Sequence, residues 1–177
     1  MNIFLAPVKF SNTSLLEKIR KELLKSFYSK IDLLDLQIDI TNAFYSERSQ
    51  YFATQVIADA LKVTEDQSGK ILILTEVDLF IPVLTFIFGE AQLNGKLSIV
   101  SVCRLHEEFY SGRTDDELLF DRTIKEILHE LGHNFGLKHC ENWDCVMHSS
   151  SAIEEVDIKG NGYCKSCATV IEDYKFK

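Results

Sequence analysis

Apolar residues recur along this chain with two periods, and each change of period marks an element. Residues 2 to 8 form a short apolar run closed by Pro7 and Lys9, which predicts a first strand. Ser14-Leu15-Leu16-Glu17 has the form of a capping box, and Leu15, Leu16, Ile19, Leu23 and Phe27 then share one helical face. From Leu34 to Ile40 the alternation is strict: Leu34, Leu36, Ile38 and Ile40 fall on one side, Asp35, Gln37 and Asp39 on the other. That pattern predicts a strand with one wet face. Ser49 to Leu61 returns to helical spacing through Ala53, Ile57 and Leu61. Lys70 to Thr75 carries four consecutive apolar residues, as a central strand covered on both faces requires. Leu84 to Gly89 and Leu97 to Val102 flank the turn signal Asn94-Gly95 and predict an antiparallel hairpin.

The order strand, helix, strand, helix, strand, hairpin describes an α/β (α+β) protein with a mixed five-stranded sheet covered by helices. A loop at 107 to 114, containing Gly112, leads into a third helix. Asp115, Asp116 and Glu117 stand at its N-terminal end, where they favour the helix dipole. On that helix Ile124, Ile127, Leu128 and Leu131 form the anchoring face. Beyond Gly136 regular periodicity fades until about Ala168. The expectation is one domain over 1–177: sheet and helices in 1–135, and a small loop-rich subdomain in 136–177. No repeat, low-complexity tract or linker interrupts it.

The third helix carries the chemistry. His129-Glu130-Leu131-Gly132-His133-Asn134-Phe135-Gly136-Leu137-Lys138-His139 has the form H-E-x-x-H-x-x-G-x-x-H. A helix turns about 100° per residue, so His129 and His133 project one turn apart from one face. Two imidazoles so placed can hold one zinc ion, with Glu130 near any water on the metal. Gly136 can end the helix in a left-handed conformation and swing His139 round as a third nitrogen. Three protein ligands leave a position open, the arrangement of a catalytic zinc. The five-residue core alone arises by chance on ordinary helices; the glycine and third histidine set this chain apart from that background.

Four of the five cysteines cluster late: Cys140, Cys145, Cys164 and Cys167. C-x4-C, eighteen residues and C-x2-C suit a tetrahedral thiolate zinc site. Two disulfides would use the same four residues, and a reducing compartment disfavours them. Cys103, in an apolar run, reads as a buried free thiol. The 46% hydrophobic and 26% charged content is that of a globular protein, and a net charge of -8 argues against general nucleic-acid or anionic-membrane binding. No apolar run is long enough for a membrane span. The N-terminal residues read as a strand and not a signal peptide, which points to the cytoplasm.

Taken together, His129 to Cys140, Cys145-Val146-Met147 and Cys164-Lys165-Ser166-Cys167 resemble the archaemetzincin signature, in which four cysteines are interleaved around the Met-turn. Thr75-Glu76-Val77-Asp78-Leu79, Phe88-Gly89-Glu90-Ala91 and Arg104-Leu105 resemble stretches of the same family. The sixteen-residue interval from Met147 to Cys164 is about one shorter than its usual pattern. The resemblance implies a compact metzincin-like fold and a catalytic zinc on His129, His133 and His139. It also implies Glu130 as base, Met147 in a turn beneath the metal, and a second, structural zinc on the four cysteines. The activity implied is that of a zinc metallopeptidase acting, as a monomer, on a peptide or protein substrate. The analogy further makes Leu84–Gly89 the exposed sheet edge along which a substrate would lie. Two other classes compete: a zinc-stabilised binding module with little turnover, and a zinc hydrolase of a non-peptide amide. Against the first, residues 140–177 carry seven acidic and four basic side chains, unsuited to reading phosphates, and Glu130 and His139 are not needed merely to fold. His148 reads as a surface residue near the cleft, and His106 as a loop residue.

Overall fold

The computed structural model describes residues 2–27 and 29–175, with side chains as far as residue 172. The chain begins with β1 (Asn2–Pro7), α1 (Thr13–Ser26) and β2 (Lys30–Leu33). After a single 3-10 turn at Thr41–Ala43 come β3 (Phe44–Tyr45), β4 (Gln50–Phe52), α2 (Ala53–Val63), β5 (Lys70–Thr75) and β6 (Leu79–Phe80). Then follow β7 (Gly89–Ala91), β8 (Leu97–Ser101), α3 (Glu108–Ser111), α4 (Asp116–Asn134), α5 (Ile153–Ile158) and α6 (Lys165–Lys175). The main sheet has five strands in the order β2-β1-β5-β8-β7; all run parallel except β7, which pairs antiparallel with β8. A small second sheet, β3-β4-β6, lies beside it.

Alternate residues of the strands sort into two cores. Leu72, Leu74 and Val100 pack with α1 and α4 on one face, while Ile71, Ile73 and Ile99 pack with α2 on the other. Both faces are covered, which is why Lys70–Thr75 reads as a continuous apolar run. Asn94, at φ 55°, makes the tight connection between β7 and β8.

Three expectations shift. The segment 34–40 keeps its alternating burial, with Leu36 and Ile40 buried and Asp35, Gln37 and Asp39 exposed, but it is not a strand. The ladder with β1 ends where the amide of Leu34 donates to Leu5 O; the next bond would need an N–H from Pro7, which has none. The strand is therefore β2, four residues earlier. The second helix begins at Ala53 rather than Ser49, because Tyr51 and Phe52 pair with Leu79 and Phe80. In the hairpin, residues 84–88 leave the sheet: Ile87 bridges to Leu79, and the strand opposite β8 is Gly89–Ala91.

The tail differs too. It contains α5 and α6, and Val146, Met147, Ile153, Val156 and Ile171 belong to the same core as α4. Cys103 is only half-buried, with burial raising its thiol above its ordinary value. Among the described residues, no helix is long and apolar enough to cross a membrane.

Charge also docks the tail on α4. Arg122, 3% exposed in its side chain, grips Asp157 through Nε and Nη2 at 2.6 and 2.7 Å, and Nη2 reaches Glu107 at 3.0 Å. Lys125 donates to the carbonyls of Val156 and Asp157 near the end of α5 at 3.1 and 2.9 Å. Lys159 and Glu126 form a fully enclosed pair at 2.7 Å. Removing one partner strands the other charge in a poorly hydrated place. Asp157→Ala is expected to lower unfolding stability by about 2 kcal/mol, short of the penalty for a fully enclosed pair because the Asp157 side chain is 33% exposed. Urea denaturation measures it, and a loss below about 0.5 kcal/mol would assign the docking to apolar packing alone.

Candidate active site

Helix α4 starts at Asp115, whose side chain accepts from the amide of Leu118 at 2.9 Å, with Asp116 and Glu117 in the first turn. It ends at Gly136, φ 86°, where Gly136 N donates to His133 O at 2.9 Å and Leu137 N to Gly132 O at 3.0 Å. Those two bonds make a glycine-terminated cap that reverses the chain. His139 is thereby brought back over His129 and His133, with ring centroids 5.3 and 5.0 Å away. One ligand atom from each of the three histidines lies within 4.8 Å of the others.

Hydrogen bonds fix which nitrogens meet. Nδ1 of His129 lies 2.8 Å from Val146 O, and Nδ1 of His133 lies 2.8 Å from Leu137 O. A carbonyl only accepts, so both Nδ1 atoms carry the proton and both Nε2 atoms present lone pairs. These Nε2 atoms stand 3.1 Å apart. Two neutral lone pairs facing each other repel unless a cation lies between them, and this donor set therefore fits a zinc ion. Burial holds His129 well below its usual imidazole value, helped by the positive charge of Lys159. Burial lowers His133 and His139 likewise. All three are thus kept in the neutral form a metal needs.

Glu130 points into the same region and is pressed against the edge strand. A Cβ at Gly89 would stand 2.8 Å from Glu130 Cγ and 2.8 Å from Ile99 O, so only glycine lets the carboxyl and strand come this close. Burial, followed by the charge of Glu126, raises the Glu130 carboxyl well above its usual range. Such a group readily takes a proton. The histidines and Glu130 face a cleft of about 560 Å³, walled by Ile81, Leu84, Phe86 and Ile87 on one side and by Ser149–Ser151 on another.

Met147 is fully buried beneath the histidines' helix, and a Cβ at Gly132 would collide with its Sδ. Cys140, Cys145, Cys164 and Cys167 come together with their sulfurs within 4.8 Å of one another. Cys140 and Cys164 Sγ lie 3.9 Å apart, too far for a disulfide and close to the roughly 3.8 Å edge of a zinc–thiolate tetrahedron. The amide of Cys167 helps bring the Cys164 thiol down to about 7, while burial raises Cys145. This cluster also fits zinc. His148 stacks on Trp143 at 3.8 Å and donates from Nδ1 to Cys140 O, so it is half-buried and braces the loop. His106 is half-buried in the loop before α3. Sequence reasoning did not find Gly89 as the seat of Glu130, nor the Glu126–Lys159 pair under the cleft. The first lies within a quoted stretch; the second, 33 residues apart, has no local signal.

Gly132 gives a direct test of this packing. At an open interior helix position Gly→Ala would gain about 1 kcal/mol. Here the methyl collides with Met147, so Gly132→Ala is expected to destabilise by about 1–3 kcal/mol instead. A thermal melt no lower than wild type would show that Met147 is not held against the helix.

Comparison with known proteins agrees with this geometry. The model of peptidase family M54 matches residues 13–173. An archaemetzincin of Methanocaldococcus jannaschii is 38% identical over 173 residues, covering 98% of this chain and 94% of the relative. Among solved structures, the archaemetzincin of Archaeoglobus fulgidus complexed with malonate superposes with a TM-score of 0.81 at 31% identity, covering 96% of this chain and 99% of its own. A zinc-dependent peptidase from Methanocorpusculum labreanum gives 0.85 at 29% identity, covering 96% and 100%. Metalloproteinase-II from Bacteroides fragilis, 13% identical with a TM-score of 0.57, shares the fold alone. The chain belongs to peptidase family M54, the archaemetzincins, and is a zinc metallopeptidase.

Proposed function

We propose that the chain hydrolyses peptide bonds at His129, His133 and His139, with Glu130 as general base, and carries a second, structural zinc on Cys140, Cys145, Cys164 and Cys167. The observation that carries the reading is the convergence of the Nε2 lone pairs of His129 and His133, with His139 beside them, next to the buried Glu130 carboxyl in one cleft. The three imidazoles would hold the zinc, which would supply Lewis acidity at this point of the cleft. Glu130 accepts a proton from the attacking water and delivers it to the leaving amine. Val146 O and Leu137 O keep the His129 and His133 rings in the tautomer that this requires. The substrate lies extended along the outer edge of β7, the terminal strand of the sheet, and Ile81, Leu84 and Phe86 shield the reacting bond from bulk water.

Residues 136–177 act as a clip on the catalytic helix within one domain. Cys140 follows His139 directly, and its amide donates to Met147 O at 2.9 Å, so the clip sets the position of the third histidine.

Glu130→Gln is expected to keep its zinc and its fold while kcat falls at least about a hundredfold. An unbiased peptide library digested by zinc-loaded wild type and variant tests this. Equal cleavage by both would remove Glu130 from the mechanism; no cleavage by wild type would overturn the peptidase reading.

Metal analysis separates the two sites. Wild type is expected to bind two zinc ions, and His133→Ala and Cys164→Ser one each. The Cys164→Ser melt should fall further, because a closed thiolate shell contributes directly to folding. One zinc in wild type, or equal melts for the two variants, contradicts the assignment.

A further inference from the structure

The cleft wall at residues 81–88 has little regular structure of its own. Before Ser101 N bonds Phe88 O at 2.8 Å, where β7 begins, a turn bond from Leu84 N to Ile81 O and the bridge from Ile87 N to Leu79 O are its backbone ties, both 3.0 Å. Val83 is 83% exposed at its crest, yet Ile81, Leu84, Thr85, Phe86 and Ile87 all line the cleft. The segment is held from outside, by side chains of the small sheet and its neighbours. Arg48 Nη2 donates to Leu84 O at 2.9 Å and to Thr85 O at 2.8 Å, and its guanidinium sits 4.1 Å over the Phe80 ring. Gln50 Nε2 donates to the same Thr85 O at 3.0 Å, and Gln50 Oε1 accepts from Arg48 Nε at 2.9 Å. Both lone pairs of one rim carbonyl are therefore taken. The chain continues inward: Gln50 Nε2 reaches Asp78 Oδ2 at 3.0 Å, Asp78 is gripped by Arg104 Nε and Nη2 at 2.7 Å, and Arg104 lies 4.3 Å from the Phe86 ring. Arg48 itself is exposed and does not line the cleft.

We propose that Arg48, acting with Gln50, is a positioning residue for peptide binding: it pins the carbonyls of Leu84 and Thr85 and so sets the cleft wall against which an extended substrate packs. A loop that must be ordered as the peptide arrives costs affinity, whereas a wall fixed beforehand does not. The fork geometry matters, because Nη2 serves both carbonyls while Nε, fixed in the same plane, serves Gln50. The apolar wall it holds suits substrates with large apolar residues beside the cleaved bond.

This inference rests on the peptidase reading, and two zinc-binding probes distinguish failure of one from failure of the other. Acetohydroxamate reads the metal alone; a Leu-Phe-Leu hydroxamate reads the metal and the wall. Calorimetry on zinc-loaded protein is expected to show the tripeptide probe binding wild type more tightly than acetohydroxamate. Arg48→Lys keeps the charge and removes the fork. It should weaken the tripeptide probe about fivefold and leave acetohydroxamate unchanged, as loss of charge-assisted hydrogen bonds at a partly solvated site implies. Gln50→Met, which frees the same carbonyl from the other side, should move the ratio in the same direction. A general loss of structure would weaken both probes together and lower the melt, and that outcome overturns the proposal. A wild-type preference for the tripeptide that neither variant reduces also overturns it, while leaving the peptidase reading intact. If wild type shows no preference at all, the peptidase reading falls and the inference with it.

Discussion

Two backbone carbonyls, those of Val146 and Leu137, decide what the long helix can do. An imidazole can face a metal with either nitrogen, and a free histidine samples both tautomers. Once Nδ1 of His129 is spent on Val146 O and Nδ1 of His133 on Leu137 O, only the Nε2 lone pairs remain, aimed at one point. Neither carbonyl belongs to α4. Leu137 lies just past the left-handed turn at Gly136, and Val146 lies in the loop that carries Met147. The geometry of the histidine cluster is thus a tertiary property: the helix supplies the rings of His129 and His133, and the returning chain supplies their orientation. Interleaving the cysteines with that chain makes sense on this ground, because Cys145 neighbours Val146 and Cys140 neighbours His139.

Holding the returning chain in place requires burying charge, which is costly unless every charge is answered. Arg122, Lys125, Glu126 and Lys159 all lie in the seam between α4 and the tail, each with a partner within 3.1 Å. The seam has an electrostatic consequence at the cleft. Glu126, one turn before Glu130, makes Glu130 a weaker acid, while Lys159 opposes that and disfavours protonation of all three histidines. Apolar contacts from Val146, Met147, Ile153 and Val156 share the docking, so the tail is not held by charge alone.

What could be read in the sequence follows from how local each determinant is. Helix α4 and the histidine cluster were legible because helical geometry ties spacing to facing for His129 and His133, and Gly136 marks the turn that returns His139. The central strand was legible because both of its faces are covered. The segment 34–40 misled because alternation reports which side is buried, not whether a ladder partner exists; the missing partner was Pro7, some thirty residues away. The first hairpin arm lies two to five residues later than its apolar run suggests because Arg48 and Gln50 claim the carbonyls of Leu84 and Thr85, and no pattern within 84–89 announces that. Helix α5 escaped notice because its six residues are too few to establish a period.

The position of the cleft is itself informative. In an open sheet with parallel strands, ligands commonly bind at the carboxyl ends of strands where the order reverses, beside a helix N-terminus. Here the order reverses between β1 and β5, and α1 begins just there. That place is already filled: Glu76 accepts from the amides of Ser11 and Asn12 at 3.0 and 3.1 Å and from the Ser11 hydroxyl, so the chain's own carboxylate takes the anion's seat. The histidine cluster and Glu130 face instead the cleft beside the antiparallel edge, β7. A helix N-terminus recognises a compact anion, whereas a peptide is recognised along its backbone and needs a strand with an unpaired side. Placing β7 antiparallel at the end of an otherwise parallel sheet provides that side, and Gly89 allows Glu130 to reach it without a side chain intervening.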